Sequence, residues 1–453
     1  MAIFLAISCK KQNDWLDVPK SKNDLQLESL KDFQDLLNNT KVFNQTFPMV
    51  GQLGTDNYYV KDANLSKVTA VEKNAYLWEK NIYDSKSSPE YLFAYQAINY
   101  SNVILELIDG IEIKPYEHEL KMNIIGQALF FRAYYFHELA SIYCKQYEKS
   151  SANAERGLCL KLGADINAIV KRSSLQETYD RIMQDAYKAK DLLPLTSNFS
   201  TQPNRIALFA FIARIALNMG DYKRAKDFAD SVLEKRSELI DFNIEPKLTL
   251  TFRFPDFKAG NREILFYGQG TRYALLAPND NPNYGLVDTS LYRTYHNEDL
   301  RKLFFYSELY SNTIKFLGSY TGNATNFAGI GLNEVYFIKA ECMARLGEVE
   351  GALSTLNSIL VKRFKKGKFN PIDVTDADSL LNMILLERRK EFPMTGQLRW
   401  QDLKRLNLDN KRSTILIRKI AERIIYLQPN DPKYVYPFPQ DEIELSGIDQ
   451  NPR

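Results

Sequence analysis

His118, His137 and His296 are all the imidazoles this chain can offer for proton transfer or metal ligation near neutral pH. None stands in an HExxH pattern, and the sequence holds no GxSxG turn, no Walker phosphate loop and no dinucleotide fingerprint. Gly268-Gln-Gly270 lacks the third glycine and the following helix that phosphate binding requires. His137 sits amid Phe136, Glu138 and Leu139, where a packed histidine is expected rather than a base. Carboxylates are plentiful, yet no two stand out as the acid and base of a glycosidase. The chemistry this composition does favour is non-covalent. Its 27 Tyr and 26 Phe supply ring faces that stack on ligands, and the tyrosines add hydroxyls that hydrogen-bond at the ring edge.

A net charge of +3 over 453 residues is too small and too dispersed for the concentrated basic face that nucleic acids demand. The densest basic run, Lys362 to Lys368, reads as a solvated helix end near a favourable dipole. Hydrophobic residues at 45% and charged residues at 25% are ordinary for a folded chain. Beyond Cys9 there are Cys144, Cys159 and Cys342, whose spacing makes neither a zinc site nor a disulfide framework. Cys144 and Cys159 are either a pair or two buried thiols. No cofactor and no metal are expected.

The first nine residues form a short apolar run closed by Ser8-Cys9, and a polar stretch follows from Lys10 to Asp17. Nothing later approaches the ~18 continuous apolar residues of a spanning helix, so the run reads as an export signal or a stub. Ala6-Ile7-Ser8-Cys9 resembles a bacterial lipobox, with Ala6 where leucine is usual. Cleavage before Cys9 would free its thiol for acylation, and several acyl chains hold a protein firmly to a membrane.

The elements that must position any site are mostly helical. Ala97, Tyr100, Ile104 and Ile108 make one buried stripe within 96–108. A wider apolar face runs through 126–147, and a third helix begins at Leu175 and stops before Pro194. Two further segments share one pattern. Ala213, Gly220, Ala225 and Val232 recur at the same spacing as Ala340, Gly347, Ala352 and Ile359. These are the small-residue positions of a tetratricopeptide helix pair, where glycine permits the tight turn and alanine the close helix approach. Residues 40–75 and 243–330 carry Gly, Pro, Asn and Tyr with few clean helical faces, and Pro278 to Gly285 is a strong loop signal. A short strand, Glu263 to Tyr267, precedes that loop. Long loops on a rigid helical frame are where binding residues collect.

Four motifs carry a resemblance that spans most of the chain. Ala128-Leu-Phe-Phe-Arg132 through Tyr143 is the first, and Asn333 through Leu353 the second. The third is Glu387-Arg388-Arg389-Lys390-Glu391 with Gly396, Arg399, Trp400 and Asp402 to Arg405; the fourth is Tyr436-Pro-Phe-Pro439 through Pro452. In this order they resemble the SusD/RagB family of outer-membrane nutrient-binding lipoproteins. Taken alone, Arg388, Arg389, Glu391, Arg399 and Asp402 read as a salt-bridged network between helices, with Trp400 filling the core beside them. Pro437 and Pro439 hold the tail extended.

The resemblance implies a mainly α fold: tetratricopeptide-like helix pairs in a right-handed stack, with long irregular loops and a few short strands. Residues 1–8 would be a shortened lipoprotein signal and 9–20 a lipidated cysteine with its tether. Residues 21–453 would then form one binding domain with insertions near 40–75 and 243–330. It further implies a non-catalytic, surface-exposed lipoprotein that passes an oligosaccharide or peptide to a SusC-like, TonB-dependent outer-membrane transporter. Asp56, Asn57, Tyr58, Tyr59 and Trp78 in the first irregular region, with Arg272, Tyr273 and Tyr284 in the second, are the expected ligand-binding residues. A tetratricopeptide-type adaptor using a helical groove, or a secreted glycan hydrolase, are the rival readings.

Overall fold

Two helix pairs with the same turn form the spine of the protein. In the computed structural model, which describes residues 27–84, 87–255, 258, 260–279, 284–310 and 312–453, Arg205–Asn218 (α8) turns at Gly220 into Tyr222–Leu233 (α9). Leu332–Arg345 (α12) turns at Gly347 into Val349–Leu360 (α13) in the same way. Gly220 and Gly347 both take the left-handed backbone, with φ of 75° and 82°. Ala213, Ala225, Ala340 and Ala352 are all fully buried, and α9 packs on α12. The spacing read from the sequence is thus a real structural repeat. Cys9 lies outside the described residues.

Ahead of this spine stand Pro89–Leu107 (α5), His118–Tyr143 (α6) and Leu175–Leu192 (α7), each packed on the next. Ser88 caps α5 by accepting from the Tyr91 amide, with Pro89 in the first turn, where its missing N–H costs nothing. Ser174 and Glu177 box the start of α7, which ends just before Pro194. From Gly126 to Tyr143 every residue of α6 is buried, so the helix is central rather than one-faced. Its buried polar side chains find partners on neighbouring helices. Arg132 donates to both Asp185 oxygens at 2.7 and 2.8 Å, and Asn218 Nδ2 lies 3.1 Å from His137 Nε2.

Shorter elements wrap this stack. Leu30–Leu37 (α1) leads into the first irregular region, which holds Thr40–Phe43 (α2), Val50–Leu53 (α3), Tyr58–Val60 (β1) and Ala70–Tyr76 (α4). The second holds Ile264–Phe266 (β4), Gly285–Val287 (β5), Thr289–Arg293 (α10), Leu300–Phe305 (α11), Tyr306–Tyr310 (β6) and Thr313–Phe316 (β7). Arg156–Cys159 (β2) pairs with Arg172–Ser174 (β3), and β4 with Ile330–Gly331 (β8), in an antiparallel sense. Ala377–Glu391 (α14), Leu398–Leu406 (α15), the hairpin Leu416–Ile420 (β9) and Arg423–Leu427 (β10), and Gln440–Ser446 (α16) complete the chain. The strands among the described residues form five separate two-stranded sheets, too small to build a core of their own.

Ion pairs stitch the later helices together. Arg214 of α8 reaches Glu334 of α12, Arg405 of α15 reaches Glu341 of α12, and Arg388 of α14 meets Asp402 of α15 at 3.0 Å. One expectation is overturned here. Arg363 does not belong to a solvated helix end: it is wholly buried and bonded to Glu263 and Glu391, each at 2.9 Å. A guanidinium is buried only where carboxylates compensate it, and two do. Cys144, Cys159 and Cys342 are buried free thiols. The tail is pinned by Asn451, whose Nδ2 donates to the Tyr143 and Tyr436 carbonyls at 2.8 Å.

Candidate functional site: a tyrosine-bearing face

Strand β1 sorts its residues by alternation, since successive side chains of a strand point to opposite faces. Tyr58 and Val60 point inward, and Tyr59 between them is half-exposed. The strand is held by antiparallel pairing with β5, Tyr59 opposite Leu286 and Val60 opposite Gly285. Gly285 is required at that point, because a Cβ there would stand 2.0 Å from the Leu275 carbonyl oxygen. Tyr284 precedes β5 and is half-buried, and its carbonyl accepts from Asn64 Nδ2 at 3.5 Å.

Around Tyr59 lie Lys61, Asp288 and Tyr310. Tyr310, at the end of β6, is 61% exposed. Lys61 Nζ donates to its hydroxyl at 3.2 Å and stands 5.3 Å from the ring centre, which holds the phenol below its ordinary range. Tyr292 on α10 is half-exposed, packs edge-on against Tyr306 at 5.7 Å, and carries Lys302 Nζ 4.8 Å from its own ring centre. Asp288 caps α10 by accepting from the Leu291 amide at 2.9 Å. Tyr59, Tyr284, Tyr292 and Tyr310 therefore present rings and hydroxyls on fixed backbone. Such a face can stack on a flat apolar surface and hydrogen-bond at its rim.

Half of the residues expected here are inside the protein instead. Trp78 is 0% exposed, and its indole N–H donates to the Gly54 carbonyl at 2.9 Å. Tyr58 donates from its hydroxyl to the Leu53 carbonyl at 2.7 Å. Asn57 is buried and accepts from Arg389 Nε at 2.9 Å. Asp56 is bound by Arg389 at 3.1 Å and Arg399 at 2.8 Å. Burial works against ionising Asp56, but the Arg389 and Arg399 charges overcome it and hold the carboxyl well below the usual range. These four are corrected to structural roles, because the Trp78 indole N–H, the Tyr58 hydroxyl, the Asn57 Oδ1 and the Asp56 carboxylate are all bound by protein partners.

The residue that organises this interior is Arg418 of β9. Its guanidinium lies 4.0 Å from the Tyr76 ring centre and 4.8 Å from that of Trp78, and donates to the Tyr76, Tyr58 and Thr55 carbonyls. The alternation in Ile417-Arg418-Lys419 could have drawn notice, but hydropathy would have turned the isoleucine inward.

Tyr273 and Arg272 stand apart from the Tyr59 group. Tyr273 is half-buried and hydrogen-bonded to Glu90, with Tyr83 and Tyr436 as further neighbours, and Arg272 beside it is exposed. Both Glu90 oxygens accept from backbone amides, Met49 at 2.8 Å and Val50 at 3.1 Å. Burial pushes the Glu90 carboxyl up to about 7 against those hydrogen bonds.

Two sizeable cavities lie elsewhere. One of about 760 Å³ sits among Lys80, Arg156 and Arg453, and another of about 650 Å³ among Glu238, Ile244 and Arg262. Among the described residues neither is lined by an aromatic ring. Among the described residues no group of three or more His, Cys, Asp or Glu could hold a metal ion, and no helix is long and apolar enough to cross a membrane.

A family model described as starch-binding associating with outer membrane matches residues 14–217, and the SusD family model matches 210–453. SusD-like protein P2 of Formosa agariphila is 24% identical over 352 residues, covering 65% of this chain and 67% of its own. A putative sugar binding protein from Bacteroides vulgatus superposes with a TM-score of 0.74 at 21% identity, over 94% of this chain and 99% of the other. A SusD superfamily protein from Bacteroides fragilis gives 0.74 at 21% identity, over 92% and 98%. At such identity the structural likeness shows the fold.

Proposed function

This chain belongs to the SusD family, and from that premise we propose that it is a surface lipoprotein of the outer membrane that captures an oligosaccharide and hands it to a SusC-like, TonB-dependent transporter without breaking a bond. The observation that carries the reading is the exposure of Tyr59, Tyr284 and Tyr310 on backbone locked by the β1–β5 pairing and the β6–β7 hairpin. Sugar rings offer C–H faces that lie on a phenol ring, and their hydroxyls suit the tyrosine O–H and the nearby Lys61 and Asp288. Rigid platforms favour capture, since little ordering entropy is lost on binding. The proposed anchor is Cys9, whose acylation would leave the polar stretch Lys10 to Asp17 next to the membrane.

Calorimetry against a panel of neutral and acidic oligosaccharides and short peptides tests the site. Tyr59→Ala and Tyr310→Ala are each expected to weaken the best ligand by about ten- to a hundredfold, roughly 1–3 kcal/mol, with little change in melting temperature. Trp78→Ala is expected to do the opposite and cost about 3–5 kcal/mol of stability. Wild-type affinity in both tyrosine variants sinks this site. Cys9→Ala is expected to leave the outer-membrane fraction when expressed without a transporter; its retention there would refute the anchor.

A further inference from the structure

The tyrosine face has a charge pattern that its rings do not explain. Lys61, Arg293 and Lys302 surround it, and none of the three has a carboxylate within ion-pair distance among the described residues. Lys61 is held by the Tyr310 hydroxyl, Arg293 Nη2 reaches Asn312 Oδ1 at 3.3 Å, and Lys302 reaches Asn297 Oδ1 at 3.5 Å. The partners are all neutral. Carboxylates do stand nearby, but they are engaged with the backbone. Asp62 accepts from the Ala421 amide at 2.6 Å, Asp288 from Leu291 at 2.9 Å and Glu308 from Asn312 at 3.2 Å.

Five buried arginines of the helical stack and the elements around it are met differently. Arg132, Arg214, Arg301, Arg363 and Arg405 each have a carboxylate partner. On the tyrosine face Lys61 lies by Tyr310 and Lys302 by Tyr292, ring contacts of the kind Arg301 and Arg363 also make, but with no carboxylate added among the described residues. The set is contiguous. Tyr310 ends β6, Asn312 lies in the turn to β7, and Arg293 ends α10, the helix that carries Tyr292. Cations left without a protein anion beside ring platforms are arranged to meet an anion on the ligand.

We infer that the ligand captured on this face is an acidic glycan, carrying carboxylate or sulfate groups that Lys61, Arg293 and Lys302 receive while the tyrosines hold the sugar rings. The inference rests on the proposed glycan-binding role of the same face. Uronate carboxylates and sulfate esters share the recognised chemistry, an anionic oxygen cluster at the edge of a sugar ring. Both are attractive at short range and screened by salt once exposed.

The test uses the intact protein and four tetrasaccharide probes: tetragalacturonate, its fully methyl-esterified form, and a sulfated galactan tetrasaccharide with its desulfated counterpart. At least one charged probe is expected to bind about tenfold or more tighter than its neutral partner, and to lose affinity several-fold between 50 and 300 mM NaCl. Which of the two binds identifies the source of the charge. Lys61→Gln with Lys302→Gln is expected to weaken that probe by about fivefold or more and the neutral partner by no more than about twofold, the share of one Lys61–hydroxyl contact. Equal binding of charged and neutral probes, lost in Tyr59→Ala but indifferent to salt and to the lysine variants, overturns the acidic class and leaves the tyrosine platform standing. No binding by either charged probe, while a neutral oligosaccharide binds, overturns it equally. Absence of binding across these and the wider glycan panel overturns the platform and this inference together.

Discussion

Arg399 grips Asp56 through two parallel hydrogen bonds of 2.8 Å, Nε to Oδ1 and Nη2 to Oδ2, across 343 positions of sequence. Paired contacts of this kind fix orientation as well as distance. Here they tie the loop before β1 to α15, while Arg389 of α14 holds the same carboxylate from another side. The tyrosine face rests on β1, so this clasp stands directly behind it.

Asp56→Asn therefore removes one charge from between two largely buried cations. A loss of about 2–4 kcal/mol is expected, below the cost for a wholly buried pair because Asp56 keeps 18% exposure. The accompanying result is unchanged glycan affinity at temperatures where the variant is folded. Thermal melts and calorimetry check it; a stable variant that fails to bind would restore Asp56 to the ligand site.

Two carboxylates give the pH dependence opposite signs. Burial disfavours the ionised form of Glu341, but Arg405 and Arg345 prevail and hold it down to about 2. Its contribution is present above the ordinary value of 4.5 and is lost as pH falls from there towards 2. Glu90, pushed up to about 7, contributes fully below 4.5 and loses that contribution as pH rises through 7. Melting temperatures of Glu90→Gln are expected to decline less than those of wild type between pH 5 and 7. Parallel profiles over that window would show that Glu90 does not titrate there.

Gly54 of the loop after α3 and Trp400 of α15 are fitted face to face. A Cβ on Gly54 would come within 2.8 Å of the Trp400 ring, and one on Gly51 within 2.7 Å. Gly54→Ala is expected to cost about 1–3 kcal/mol by overpacking, and Trp400→Ala about 3–5 kcal/mol through the cavity it leaves. Because they share one space, the double variant should be less damaged than the sum of the two. Additive losses in chemical denaturation would mean the two sites do not compete for volume.

Gly347 isolates the backbone's share of a turn. Nothing lies within 4 Å of a Cβ placed there, so any cost of substitution comes from its φ of 82°. Gly347→Val is expected to lose about 1–3 kcal/mol, and Gly347→Asn distinctly less, since asparagine enters the left-handed region more readily. Equal melting temperatures for the two variants would contradict this.

Much of the frame was legible in the chain itself, because helix pairing depends on local signals. Ala213, Gly220 and Ala225 announce a helix, a tight turn and a close-packed second helix without help from distant residues, and Ala340, Gly347 and Ala352 repeat the statement. Capping pairs such as Ser174 with Glu177 and stops such as Pro194 mark ends in the same local way. The direction in which a loop side chain faces has no such signal. Tyr58 and Tyr59 are chemically identical neighbours, and only pairing with β5 sends one inward and the other out. Trp78 read as a platform until its indole met the Gly54 carbonyl and the guanidinium of Arg418, a residue whose carbonyl partners lie 342 to 363 positions away. Arg363, taken from its run as a solvated cation, is buried because Glu263 and Glu391 arrive from other elements to neutralise it. Periodicity decides helices over a few residues, whereas the burial of a polar or aromatic side chain is decided by whichever distant group satisfies it, and that partner exists only once the chain has folded.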